Sequence, residues 1–386
     1  MALEHPKIKF VTYKGPFSRI IPVNVFEIIN NDLCSYCGSC TAVCPTKALS
    51  YKFGEPDTPV INEDLCIYCN LCSMVCPHVA MDKQMFTELP NPMEKYLART
   101  KIEKLHPVMQ DGGVTSTLII AALEEGLIDA AFLVARDEKW RPVPIIAKTP
   151  EDVIKAAGSK YVYSPVNNLL ETLAFTHPEL QKVLTVGVPC QIRAIHRARE
   201  VGLRKFVDKI KYTISIFCSE NWQWSKMLEM MASAGLKPED VAKQNIKAKF
   251  FFYLKDGKVV EYSLKDAAKY LIPACKHCPE FISYYADINV GALGLQGWNA
   301  VLIMNDKGKE LWKAAVERGY IEQQPLPEDR WTKIINFDMR KKRSAWRFIK
   351  KFYGLEEEVK AQQKEAKWYQ EWLAKKKAKE VAKRKQ

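Results

Sequence analysis

Twelve cysteines in 386 residues are the side chains best able to do chemistry here, and eight of them repeat one pattern. Cys34-Ser-Tyr-Cys37-Gly-Ser-Cys40-Thr-Ala-Val-Cys44-Pro45 and Cys66-Ile-Tyr-Cys69-Asn-Leu-Cys72-Ser-Met-Val-Cys76-Pro77 both read C-x2-C-x2-C-x3-C-P. This run holds paired 4Fe-4S clusters. Three close thiolates wrap three iron corners, and the fourth, fixed by its proline, reaches the other cube. Cys34, Cys37, Cys40 and Cys76 are thereby assigned to one cluster, and Cys66, Cys69, Cys72 and Cys44 to a second. Zinc competes, but its structural sites take four ligands from two C-x2-C knuckles, and a doubled eight-cysteine run disfavours it. The flanks repeat as well, Asn31-Asp-Leu-Cys34 echoing Glu63-Asp-Leu-Cys66. Between the copies, Ala48–Tyr51 suits a short strand, and Pro56 and Pro59 mark a loop.

Four cysteines remain. Cys190 and Cys218 end the apolar runs Leu184-Thr-Val-Gly-Val-Pro and Tyr212-Thr-Ile-Ser-Ile-Phe, and Cys275-Lys-His-Cys278-Pro279 repeats the C-x2-C-P spacing. Strands ending side by side would bring these thiols to one rim and complete a third set of four. The alternative is that Cys190 and Cys218 are ordinary buried thiols.

Around these residues the chain reads as soluble: 47% hydrophobic, 27% charged, mean hydropathy −0.22. The longest apolar stretch, 114–135, is broken by Glu124, Glu125 and Asp129, so no membrane span is expected. No secretory signal is visible at Met1–Phe10. Abundant unpaired cysteines then point to a reducing cytoplasm. Residues 341–386 hold 16 of the 58 basic side chains but only 6 of the 45 acidic ones, so the +13 net charge belongs mostly to the tail. Three oxidised clusters, each contributing roughly −2, would leave the body slightly acidic.

From Met93 onward, strand and helix patterns alternate. Helices are expected at 118–126, 150–157, 166–175 and 194–202, with strands at 130–135, 183–187 and 212–217. Pro142 and Pro144 suggest a loop, and 247–254 with 258–263 a hairpin turned at Lys255-Asp-Gly257. The fold class expected is an α+β ferredoxin-like two-cluster domain followed by an α/β flavin-binding domain and a C-terminal basic helix. Its boundaries are 1–30 for an N-terminal extension, 31–90 for the two-cluster domain, 91–340 for the α/β domain and 341–386 for the tail. No G-x-G-x-x-G, Walker A or nucleophile-elbow motif occurs.

These pieces together resemble the family of coenzyme F420 hydrogenase/dehydrogenase beta subunits. The resemblance is carried by Gln110-Asp-Gly-Gly-Val-Thr, Leu123-Glu-Glu-Gly-Leu-Ile-Asp, Gly158-Ser-Lys-Tyr, Val186-Gly-Val-Pro-Cys-Gln-Ile192, Phe217-Cys218, Cys275-x-x-Cys278, Ala286-Asp-Ile-Asn-Val-Gly291 and Gly297-Trp298. It covers residues 30–310, and the layout is similar to the electron-input subunits of F420H2 dehydrogenases. It implies FAD beside a 4Fe-4S cluster, with coenzyme F420 as substrate docking on the flavin, and three 4Fe-4S clusters in all. Carried over by position, Gly112, Gly113, Val114, Thr115, Ser159, Lys160, Tyr161 and Pro189 would contact the cofactor. Lys160 and Gln191 would be the catalytic residues, with the Pro189-Cys190-Gln191 turn between flavin and cluster. Met304-Asn305 departs from the family, which often has an arginine after Gly-Trp.

The chemistry implied is hydride exchange between reduced F420 and FAD, then one-electron transfer through the clusters to a partner. A ferredoxin-dependent flavin reductase of an organic substrate and a non-catalytic electron-transfer subunit are the alternatives. The expected partners are other subunits of a redox complex, of membrane-bound F420H2 dehydrogenase, hydrogenase or formate dehydrogenase type. No nucleic acid is expected. In the tail, Leu355, Val359, Gln362, Ala366, Tyr369 and Leu373 share a helical face, followed by Lys375-Lys-Lys377 and Lys383-Arg-Lys385. This is either a solvated helix or a surface for an acidic partner or the cytoplasmic face of a membrane. His78 and His277, near predicted cluster ligands, are expected at the surface.

Overall fold

Alternation along the apolar runs determines the architecture. In a strand, successive side chains face opposite sides, and here both sides are covered. Ala130 and Phe132 enter one core, whereas Ala131 and Leu133 enter another. The computed structural model describes residues 25–50, 59–79 and 81–384. Tyr51, Pro56 and most of the expected N-terminal extension lie outside them.

In chain order the strands are β1 (Leu49–Ser50), β2 (Val60–Ile61), β3 (Glu94–Thr100), β4 (Ala130–Arg136), β5 (Pro142–Ala147), β6 (Val183–Gly187), β7 (Ile210–Ile216), β8 (Val241–Ile246), β9 (Phe250–Leu254), β10 (Val259–Tyr262), β11 (Ile288–Gly291), β12 (Asn299–Ile303) and β13 (Ile321–Pro325). Eight form one sheet in the order β13-β3-β12-β11-β7-β6-β4-β5. Its centre, β11-β7-β6-β4, is parallel, and antiparallel pairs flank it on both sides. Helices Val114–Glu124 and Asp306–Glu317 cover one face through Leu118, Ile119, Leu311 and Trp312. Helices Leu169–Phe175 and Pro189–Glu200 cover the other.

Several expectations need correction. Pro142 and Pro144 belong to β5 and not to a loop; β5 is the edge strand, where a missing N–H does no harm. The helix expected from Ala194 starts at Pro189, so Cys190 occupies its first turn. The expected hairpin is β9 and β10, and β8, too polar to stand out, completes a three-stranded sheet.

The cysteine-rich segment packs on the helical layer beside β6. Ala42, Val43 and Val75 join the core formed by Leu170, Leu173 and Ile195. A 26-residue helix, Glu328–Tyr353, then runs back along the body. Helices Glu356–Glu365 and Lys367–Arg384 follow it. Half of the predicted helical face is buried: Val359, Gln362 and Ala366 pack with Trp346 and Trp368 on Met81, Met85 and Phe86. The tail therefore clasps the segment leaving the cysteine repeats, while Lys375, Lys376 and Lys377 stay exposed; Lys385 lies outside the described residues.

Trp346 carries this clasp. Its ring stacks on Trp368 at 5.4 Å and Phe86 at 6.0 Å, and its N–H donates to Gln362 Oε1 at 2.9 Å. Trp346→Ala should destabilise the protein by about 3–5 kcal/mol. Urea unfolding of anaerobically prepared full-length protein checks this, and an unchanged midpoint would refute the clasp.

Candidate functional site

Both cysteine loops adopt the same backbone. Tyr36 and Tyr68 have φ of 51° and 54°, and the residues after the second cysteines, Gly38 and Asn70, have φ of 88° and 63°. Each left-handed residue begins a short helix, Ser39–Ala42 or Leu71–Val75. These turns bring successive thiols to one side. Cys34, Cys37, Cys40 and Cys76 line one cavity together with Gly38, Pro77 and His78, the set assigned from spacing.

Burial dominates the state of these thiols. Burial pushes Cys34 well up from the usual thiol range, and Cys37, Cys76 and Cys190 add to it. Burial likewise raises Cys40, reinforced by Cys37, Cys34, Cys76 and Cys72. Cys76 is pushed to about 11 and Cys72 to about 12, in both cases chiefly by burial. Cys34, Cys40, Cys76 and Cys190 share one packed cluster, and Cys72 packs against it. The two repeats are unequally placed: residues 33–44 are buried throughout, whereas Cys69 is exposed and Cys66 and Cys72 half-buried.

Of the remaining four thiols, Cys190 and Cys275 meet at Tyr163. Its hydroxyl lies 3.9 Å from Cys190 Sγ and 3.7 Å from Cys275 Sγ. Burial and the charges of Cys190, Cys275, Cys218 and Cys278 push that phenol well up. The Asn221 N–H donates to Cys275 Sγ at 3.2 Å, and the Tyr36 N–H to Cys34 Sγ at 3.3 Å, the amide-to-sulfur bonds that favour thiolates. Thiols raised by burial stay protonated unless metal cations displace their protons. Among the described residues no three His, Cys, Asp or Glu side chains close on a single-ion site. Four thiols lining shared space suit a polynuclear iron–sulfur core.

The first cysteine loop is bound tightly to the body. Asn167 N donates to Cys37 O at 3.0 Å, and its Nδ2 to Ser39 Oγ and Gln191 O, both at 2.9 Å. The Tyr36 and Tyr163 rings pack at a tilt of 52° with centroids 5.7 Å apart, and Gln223 Nε2 donates to the Tyr36 hydroxyl. His78 and His277, expected at the surface, are buried and stack at 5.5 Å between the two thiol groups. Burial holds His277 down at about 3, and His78 is also lowered. Arg193 is 1% exposed and pairs with the buried Glu280 at 2.5 Å beside the same junction.

The second expected site lies where residues 108–113 approach residues 158–161. A Cβ on Gly158 would lie 3.0 Å from Val108 O. Burial and Arg136 lower Lys160 to about 7, and its Nζ donates to the carbonyls of Ala156 and Ala157. Burial raises Asp111 against the pull of Lys247 and Lys243, and Lys243 Nζ donates to Met109 O at 3.1 Å. Burial, followed by Asp111, pushes Tyr161 to about 12, against a lowering influence of Ile246 and Ser159. Arg136, Lys160, Lys243 and Lys247 thus collect where an anionic cofactor could sit.

The sequence reading missed Gln110 as a contact. Both polar atoms of its amide are buried without a protein partner, so it can donate to and accept from a heterocycle or phosphate. Gly113 (φ 68°) starts helix Val114–Glu124, and Thr115 lies half-buried in its first turn. Gly112 is constrained by the sheet: a Cβ would lie 2.6 Å from Ala98 O and 2.7 Å from Asn299 N. Pro189 opens its helix. The Gln191 amide accepts from Val188 N at 2.9 Å and donates to Ser164 O at 2.7 Å, bracing the 163–168 stretch. Residues Gly158–Tyr163 run from this second site to the thiols, and Tyr161 and Tyr163 are at most about 7 Å apart along the backbone. Met304 and Asn305 precede helix Asp306–Glu317, which Asn305 caps through Gly308 N.

Comparison with known proteins adds the following. Residues 95–171 match "Coenzyme F420 hydrogenase/dehydrogenase, beta subunit N-term", residues 180–329 its C-terminal counterpart, and residues 32–80 a "4Fe-4S dicluster domain". One subunit of the F(420)H(2) dehydrogenase of Methanosarcina mazei is 32% identical, covering 80% of this chain and 89% of that protein. Coenzyme F420 hydrogenase subunit beta of Methanothermobacter thermautotrophicus is 34% identical over 60% of this chain and 84% of its own. A chain of the F420-reducing [NiFe] hydrogenase complex from Methanosarcina barkeri superposes with a TM-score of 0.64 at 32% identity, covering 68% of this chain and 94% of that one.

Gly38 tests the junction. A Cβ there would lie 2.5 Å from Asn168 Oδ1 and 2.9 Å from Pro165 O, at a left-handed φ. Gly38→Ala should cost about 2 kcal/mol or more and lower the iron retained per chain. Unfolding midpoints and iron assays check it; wild-type values in both would mean the loop is not locked.

Proposed function

Because the chain belongs to the family of coenzyme F420 hydrogenase/dehydrogenase beta subunits, we propose that it is the F420-oxidising or F420-reducing subunit of a larger redox complex. In this reading it holds FAD beside residues 108–113 and 158–161 and three 4Fe-4S clusters on its twelve cysteines. The observation that carries the proposal is one packed junction. Cys34, Cys40, Cys44, Cys76, Cys190 and Cys275 cluster with Tyr163, with Cys66 and Cys72 packed against them, and residues 158–161 lead straight into Tyr163.

A bound flavin supplies the conversion between a hydride pair and single electrons. The protein's own residues do the rest. Gln110 offers a donor and an acceptor without an internal competitor. Lys160, Arg136, Lys243 and Lys247 compensate negative charge on cofactor or coenzyme. Lys160 can leave its two carbonyl partners for an incoming phosphate or carboxylate, which would restore its full charge. Tyr163 and Tyr36 fill the space between the FAD site and the first cysteine loop with rings, excluding water.

Cys66, Cys69 and Cys72 form the end facing solvent, beside exposed Leu65, Ile67 and Tyr68. That rim is the proposed contact with the partner that exchanges single electrons with this chain. Its position suits a cytoplasmic protein or one peripheral to the cytoplasmic face of a membrane; among the described residues no helix is long and apolar enough to cross one.

Anaerobically purified protein should show flavin peaks over broad iron–sulfur absorption and contain about twelve irons per chain. Reduced coenzyme F420 should bleach the iron–sulfur absorption while being oxidised. Fully loaded protein that does not react with it would overturn the proposal, and about eight irons would remove the third cluster. Lys160→Ala should weaken flavin or coenzyme binding about tenfold, roughly 1.4 kcal/mol. Unchanged flavin content and Michaelis constant would exclude Lys160 from the site.

A further inference from the structure

Among the buried cations near the thiols, two are neutralised by carboxylates. Arg193 pairs with Glu280 at 2.5 Å, and Lys342 with Asp338 at 3.2 Å. Lys341, 7% exposed, is different. Its Nζ donates to Ser219 O at 2.7 Å and Cys275 O at 2.9 Å; no carboxylate forms a close ion pair with it among the described residues, and Glu220 acts on it only from farther away, after the thiols of Cys278, Cys275 and Cys218. The two carbonyls belong to Cys275 itself and to the residue after Cys218. The ammonium therefore bridges the two backbone segments that present these thiols.

Burying an ammonium without a counter-charge costs several kcal/mol. Two carbonyl dipoles offset part of that, and a net negative group at the thiols would offset the remainder. A 4Fe-4S core with four thiolates carries such a charge, and one-electron reduction makes it more negative by one unit. A fixed cation in a low-dielectric site therefore stabilises the reduced form more than the oxidised one.

We propose that Lys341 is a positioning residue whose fixed charge raises the reduction potential of a cluster held by Cys190, Cys218, Cys275 and Cys278; this rests on the iron–sulfur reading of those thiols. The family match ends at residue 329, and Lys341 reaches the site only because helix Glu328–Tyr353 folds back across it. The basic segment thus contributes to the electron path as well as to the clasp.

The test uses full-length protein prepared anaerobically as wild type, Lys341→Met and Lys341→Arg. Iron is assayed first: about eight irons in the wild type refutes the third cluster itself, independently of Lys341. With about twelve, potentials are read by redox titration followed by electron paramagnetic resonance. Lys341→Met should make the cluster about tenfold harder to reduce at a given potential, about 59 mV for a one-electron couple. Lys341→Arg should stay within about threefold of wild type. A Met variant that fails to load iron while the Arg variant loads also supports the charge role. An unchanged potential in the Met variant, an equal fall in both variants, or loss of iron from both would overturn it.

Discussion

The close seating of the first cysteine loop against residues 163–168 and 191 is the constraint on which the rest of the structure depends. One-electron transfer falls off steeply with distance, so metal groups on separately moving domains would be poorly connected. Here Asn167 holds the backbone at Cys37 and the side chain of Ser39, and Gln191 braces the stretch that Asn167 leaves. Gly38 is glycine because the partner backbone lies where a Cβ would be. Two thiol groups that could have belonged to two domains thus share one apolar junction, in which Cys34, Cys40, Cys190 and Cys275 pack with Tyr163.

The long C-terminal helix secures that junction from behind. Along one face it presents Asp338, Lys341, Lys342, Ala345, Trp346 and Ile349, all buried. Lys342 donates to Met85 O, just past the cysteine repeats, and Asp338 accepts from Phe281 N at 3.4 Å near Cys278. One element thereby touches the exit of the front segment and the loop carrying the last two cysteines. A charge-rich sequence here builds an interior, because each buried charge has a specific partner.

What was legible in the sequence was local. The expected ligand grouping of Cys34, Cys37, Cys40 and Cys76 comes from spacing and proline placement, and these four side chains line one cavity. The apolar strands β4, β6 and β7 were legible because their two-sided burial makes them continuous hydrophobic runs. The unequal burial of two near-identical repeats was not, since it depends on contacts with residues more than a hundred positions away. His78 and His277 carry no local mark of burial; their stacking requires both loops to be in place. Lys341 and Lys342 read as members of a solvated basic run, because composition does not distinguish an exposed lysine from one meeting carbonyls inside a fold.

The unequal repeats also determine what each end of the molecule can do. On the proposed function, a two-electron donor would bring its ring beside residues 108–113 and 158–161, where Gln110 and the surrounding cations lie. A one-electron partner would need only proximity to the last metal group, and a small exposed rim would serve it. Ile67 is 61% exposed and Leu65 47%, apolar area that a monomer gains nothing by showing and a docked partner would cover. Burying both repeats equally would have insulated the path from any partner, and exposing both would have admitted water to the junction at Tyr36 and Tyr163. One repeat inside and one at the surface satisfies both demands with the same twelve-residue motif.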